Sequence, residues 1–142
     1  MSPQDRAIVL LAMCESERAT DRVLAKAARL DADHAFSHHR AVAMFCEHFG
    51  DPETAPVLAD ILHKPGMTGY AWTCLADELE DIPESHIDTT TRNRSLRELI
   101  LARALHRCGD IDGLAAGILQ RYADDIRGPY ARHARAVLGT AA

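Results

Sequence analysis

Residues Arg94–Tyr122 read RSLRELILARALHRCGDIDGLAAGILQRY. Apolar side chains recur through this stretch at helical spacing on both sides of Gly109-Asp110-Ile111-Asp112, so it reads as two helices joined by a four-residue turn. The same design appears twice upstream. Val23, Leu24, Ala27, Ala28 and Leu30 mark one helical face, and Val42, Phe45, Cys46 and Phe49 another. Gly50 closes the latter helix, and Asp51-Pro52-Glu53 opens the next with a cap, a first-position proline and an acid facing the helix dipole. Val57, Leu58, Ile61 and Leu62 form its apolar stripe, and Lys64-Pro65-Gly66 stops it.

The first two hairpins superpose at an offset of 34 residues. Thr20, Val23, Leu24 and Ala25 fall on the identical Thr54, Val57, Leu58 and Ala59, and Leu11 falls on Phe45. The third aligns at an offset of 59, which places Gly109-Asp110 on Gly50-Asp51. A hairpin recurring at this period is the pattern of an α-solenoid, in which each unit hides its apolar face on its neighbours. The sequence therefore predicts a single all-α domain over 1–142, with six to eight helices. Hairpins are expected at about 3–30, 35–64 and 94–122, an irregular acidic insert at 67–93, and a capping helix at 129–139.

Composition agrees with that class. Apolar residues make up 47% of the 142-residue chain but aromatics only 5%, a balance that suits close-packed helices better than a sheet. The formal charge is −5 and uneven: residues 1–93 hold 8 basic and 16 acidic side chains, residues 94–142 hold 8 and 5. An acidic chain is a poor ligand for nucleic acid, whose phosphates demand clustered Lys and Arg. No apolar run approaches the about 18 residues of a membrane span. The four cysteines, Cys14, Cys46, Cys74 and Cys108, form no C-x-x-C pair and are expected to be reduced, with Cys46 and Cys108 buried. Leu11-Ala12-Met13-Cys14 is a poor lipoprotein box because Met13 stands where a small residue is required. With no signal peptide, the cytoplasm is favoured if Met1 is the native start.

Hairpins of this size, with Gly-Asp or Asp-Pro turns, resemble HEAT-type helical repeats. The stretch from Leu96 to Asp110, with Gly113-Leu114, Tyr122–Gly128 and His63-Lys64-Pro65-Gly66-Met67, is similar to something narrower. It resembles the C-terminal helical region of some bacterial FAD-dependent oxidoreductases, over about residues 36–138. That resemblance implies an appendage docking on a flavoprotein domain, with the flavin chemistry in that separate domain. This chain has no G-x-G-x-x-G turn after a strand and is expected to hold no cofactor of its own.

Candidate chemistry is sparse. His38, His39, Cys46 and His48 do not share one face, and no H-E-x-x-H or paired C-x-x-C marks a metal site. No G-x-S-x-G turn marks a nucleophile. The expected function is thus non-catalytic: protein–protein or interdomain contact, with Tyr70, Trp72, Asp77, Glu78, Glu80 and Asp81 of the insert as the interaction surface. Two alternatives make other demands. A HEAT-like nucleic-acid enzyme of the base-excision type needs a basic, aromatic-lined groove, and a HEAT-like lyase handling a small ligand or bilin needs a deep apolar cleft. One arginine stands out. Arg103 falls within the arc of Leu96, Leu99 and Ile100, so its charge requires a carboxylate, and Asp110 or Asp112 of the adjoining turn is the expected partner.

Overall fold

A computed structural model of the chain describes residues 2–13, 17–80, 82, 85 and 87–139. Among them are eight α-helices and no strand. They are α1 (Pro3–Ala12), α2 (Glu17–Ala27), α3 (Phe36–Phe49), α4 (Ala55–His63), α5 (Leu75–Glu80), α6 (Thr90–Arg107), α7 (Leu114–Ala123) and α8 (Gly128–Leu138), with a 3-10 turn at Pro52–Thr54 before α4. The chain is all-α. α1 packs on α3, α3 on α6, α6 on α7 and α7 on α8, while α4 also lies against α6. The arrangement is centred on α6.

Local chemistry sets the helix ends. Ser2 and Asp5 form a reciprocal capping box on α1, with Pro3 in the first turn. Gly50 ends α3 in the left-handed region at φ 59°, and Asp51 accepts the Glu53 amide at 2.9 Å to start the next turn. Lys64 Nζ donates to the carbonyls of Ala28 and Leu30, both at 2.6 Å, which ties the end of α4 to the turn that follows α2.

The turn between α6 and α7 runs over residues 108–113, two more than its four-residue reading. Gly109, Asp110, Asp112 and Gly113 all have positive φ, which only Gly, Asn and Asp adopt readily. The Asp110 carboxylate accepts from the amides of Ile111, Ala115 and Ala116 at 2.7, 2.8 and 3.0 Å. It satisfies the first-turn donors of α7.

Equal letters in the repeats do not mean equal burial. Ala25 is exposed where Ala59 is buried, and Leu24 is half-buried where Leu58 is fully enclosed. α4 is covered by α6 as well as α2, whereas α2 meets α1, α3 and α4 only lightly. The closer packing of α6 on α4 hides more of that helix's circumference.

Beneath the insert lies a buried polar network. The Glu98 carboxylate, 0% exposed, accepts the amides of Gly69 and Tyr70 at 2.9 and 2.8 Å and the hydroxyl of Tyr122 at 2.9 Å. Asp125 accepts the Trp72 amide at 2.9 Å and pairs with Arg127 at 2.7 Å. Arg127 also donates to Ser95 Oγ and to the Tyr70 carbonyl. An extended segment has no helical partners for its backbone, so the core must supply them. Burial and the neighbouring Glu98 push the Tyr122 phenol far above its ordinary range, so it is a permanent donor.

Candidate functional groove

α3, α6 and α8 enclose a groove of about 770 Å3. Its floor is apolar: Phe36, Ala43 and Met44 from α3, Leu96 and Ile100 from α6, and Tyr130 from α8. Spacings of three and four place Leu96, Ile100, Arg103 and Arg107 on one arc of α6, the arc left uncovered by α4 and α7. Met44 is 36% exposed, and Phe36, Leu96 and Ile100 are half-buried, so this surface is open to a ligand.

At one end the groove turns polar. Arg103 binds Glu47 through two parallel bonds, Nε to Oε1 at 2.5 Å and Nη2 to Oε2 at 3.0 Å. Arg107 approaches the same carboxylate at 3.4 Å, and His133 Nε2 lies 3.5 Å from Arg103 Nη1. Burial first, and the Arg103 charge second, lower the pKa of His133, so its ring stays neutral beside the guanidinium. Arg40, exposed, and His48 complete the polar lining. The balance is three arginines to a single carboxylate, on a chain whose net charge is −5.

The partner expected for Arg103 is therefore corrected. Asp110 is occupied by the amides that open α7, and Asp112 is exposed in the turn. The carboxylate that meets Arg103 comes from α3, 56 residues away. A signal for it existed in the sequence. Glu47 stands in the last turn before Gly50, where a negative charge opposes the helix dipole and calls for a cation from outside.

Of the residues expected to form an interaction surface, Tyr70, Trp72, Asp77 and Glu78 are half-buried. Tyr70 donates its hydroxyl to the Gly66 carbonyl at 2.9 Å and its ring lies under Arg94. Trp72 is stacked against the Arg127 guanidinium at 4.0 Å, with Tyr130 on the same cation at 4.5 Å. Asp77 caps α5 by accepting the amides of Thr73 and Cys74. Glu78 is half-buried, Glu80 is exposed, and Asp81 lies outside the described residues. Within this segment the exposed large apolar side chains are Leu75, Leu79, Ile82 and Ile87, at 64%, 65%, 58% and 77%. Met44 carries no mark in the sequence, and Leu96 and Ile100 show there only as the apolar arc around Arg103, because one chain pattern does not tell a core stripe from an open one.

No known family model, curated protein or solved structure matches this chain. Its function must be read from the groove itself.

Cys46 and Cys108 are buried and free. The Thr54 hydroxyl donates to Cys108 Sγ at 3.3 Å, and burial pushes the Cys46 thiol up to about 12. Neither is nucleophilic at neutral pH. Cys74 is exposed, and Cys14 lies outside the described residues. Among the described residues, no three His, Cys, Asp or Glu side chains converge as metal ligands. No described helix is long and apolar enough to cross a membrane.

Proposed function

We propose that this chain is a non-catalytic α-solenoid module of HEAT-like hairpins that docks on a protein partner. The groove between α3, α6 and α8 receives an acidic amphipathic helix of that partner. One observation carries the reading: an open apolar floor edged by Arg40, Arg103 and Arg107, with Glu47 already engaged. A helix laid in such a groove buries one apolar stripe and offers carboxylates to the rim.

The lining supports binding rather than chemistry. It contains no thiol and, apart from Tyr130, no hydroxyl, and its one carboxylate is held by two arginines. A nucleic-acid groove would need cations along its length, whereas Arg103, Arg107 and His133 gather around Glu47. The resemblance to the helical appendage of FAD-dependent oxidoreductases makes a flavoprotein domain the first partner to try. FAD alone is expected to show no saturable binding.

The test uses a fluorescent peptide with leucines at helical spacing and glutamates on its other face, beside a copy with lysines for glutamates. By anisotropy, the acidic peptide should bind with Kd of about 10 μM, more weakly as salt rises, and the basic copy should not. Met44→Glu should abolish binding and Arg40→Glu should weaken it about tenfold. Equal binding of both peptides, or of neither, overturns the reading.

A further inference from the structure

A second cleft, of about 440 Å3, shares Phe36 with the groove but has a different chemistry. Two helices begin at it. α3, 14 residues long, starts at Phe36 with Ala35 at its cap, and no side chain accepts its first amides. α6, 18 residues long, brings Thr90 and Asn93 of its first turn, with Asp88 accepting the Thr90 amide at 2.8 Å and bonding the Thr90 side chain as well. Helix N-termini carry partial positive charge and unsatisfied N–H groups.

Arg97 gives the cleft its distinctive feature. It lines the cleft yet is only 6% exposed. Nη1 donates to the Ala32 carbonyl at 2.9 Å and Nη2 to the Gly66 carbonyl at 2.6 Å, while Nε has no partner. Its acceptors are neutral, and among the described residues no carboxylate pairs with it. A buried guanidinium without a counter-charge is costly, and each terminal nitrogen still has a second hydrogen to give. Burial accordingly pulls Arg97 below its ordinary pKa.

The cleft lining holds two arginines and one carboxylate, and Asp88, just before α6, also lies close to Arg94. Arg94 stands over the Tyr70 ring on the same helix, and His34 is held by Asp31 at 2.7 Å. Asp33 is the one carboxylate in the lining, and it is exposed.

We propose that this cleft binds a phosphate group, either free or carried on a partner's side chain. Two guanidinium groups, the amides opening α3 and the Asn93 amide surround the space. A tetrahedral dianion has acceptors in every direction to meet them, where a planar carboxylate does not. Its two charges also match the two arginines, one of which has no carboxylate of its own.

The experiment is a calorimetric titration of the protein in chloride buffer with inorganic phosphate. Parallel titrations use a phosphoserine peptide and its unphosphorylated form. Saturable binding of phosphate or phosphopeptide with Kd of about 1 mM or tighter is expected, and none of the unphosphorylated peptide. Tighter binding of the phosphopeptide assigns the ligand to a partner's side chain, and equal or weaker binding assigns it to free anion. Arg94→Glu, at an exposed position, should weaken binding at least about tenfold and leave the melting temperature in chloride little changed. Arg97→Lys should bind more weakly than the native chain, because an ammonium replaces the fork; if it fails to fold, Arg94→Glu still decides the matter. Absence of saturable heat with both phosphate probes, or undiminished binding by Arg94→Glu, overturns the proposal.

Discussion

Glu47 on α3 and Arg103 on α6 close a two-bond pair across the helix interface, and the Glu47 side chain is only 10% exposed within it. The pair joins the two helices that form most of the groove, so its strength sets the groove's shape. Arg103→Ala should strand a largely enclosed carboxylate that Arg107 alone reaches, at a cost of about 2–3 kcal/mol. Arg103→Lys should recover only part of this, since an ammonium cannot make both bonds. The double change Glu47→Leu with Arg103→Met should restore most of the loss. Urea unfolding of the three variants checks this, and an unchanged midpoint for Arg103→Ala would refute it.

Thiol accessibility gives a second check. Cys74 is exposed, whereas Cys46 and Cys108 are 0% and 1% exposed and carry raised pKa values through burial. In the native protein an alkylating reagent should label Cys74 first. Cys46 and Cys108 should react only at the rate of unfolding. Peptide mass mapping separates the sites, and early labelling of Cys46 would contradict the packing of α3 on α6.

The helices were legible in the sequence because their signals are local. Pro3, Asp51-Pro52, Gly50 and the Gly109–Gly113 turn each announce a boundary through backbone chemistry that needs no neighbour. Arg103 was legible as a charge in an apolar arc and Glu47 as a charge against its helix dipole, but not that the two meet. Glu47 lies 56 residues away, and only the packing of α3 on α6 brings the two together. The anchoring of the insert was hidden for a related reason. Tyr70 and Trp72 look like surface aromatics in an acidic loop, yet Glu98, Asp125 and Arg127 draw that segment onto the core. Nothing in the local spacing of those three residues says what they hold.

Glu98 offers a direct probe of that arrangement. Glu98→Gln keeps the shape but replaces one acceptor oxygen by a donor, so one of the amides of Gly69 and Tyr70, or the Tyr122 hydroxyl, loses its acceptor. A stability loss of about 2 kcal/mol is expected, concentrated in the segment it holds. Hydrogen exchange at the Gly69 and Tyr70 amides should accelerate more than exchange in α4. Trp72 emission should shift to the red as its stacking on Arg127 loosens. Uniform acceleration across the chain, with no local excess, would count against Glu98 as the anchor.

Acid stability tests the interior of α3. His39 is fully buried, its Nδ1 lies 3.2 Å from the Ala35 carbonyl, and its Nε2 has no partner. Burial lowers its pKa from 6.5 to about 4. Below pH 6.5 the unfolded chain therefore takes up a proton that the folded chain refuses, and stability falls as pH drops toward 4. That interval corresponds to about 2–3 kcal/mol, and the lowered pKa of His133 adds a loss of the same sign. Asp5 acts in a different window. Burial would raise its pKa, but the bonds from Ser2 and His38 outweigh this and hold it well below the usual carboxylate range. Its contribution is present above the unfolded value of about 4 and is lost only below it. His39→Leu removes the buried titration and leaves Asp5 and His133 in place. The variant should lose markedly less stability between pH 7 and pH 4.5 than the native chain, by about 2 kcal/mol in urea unfolding. Parallel pH profiles for the two proteins would show that His39 is not the group that resists protonation.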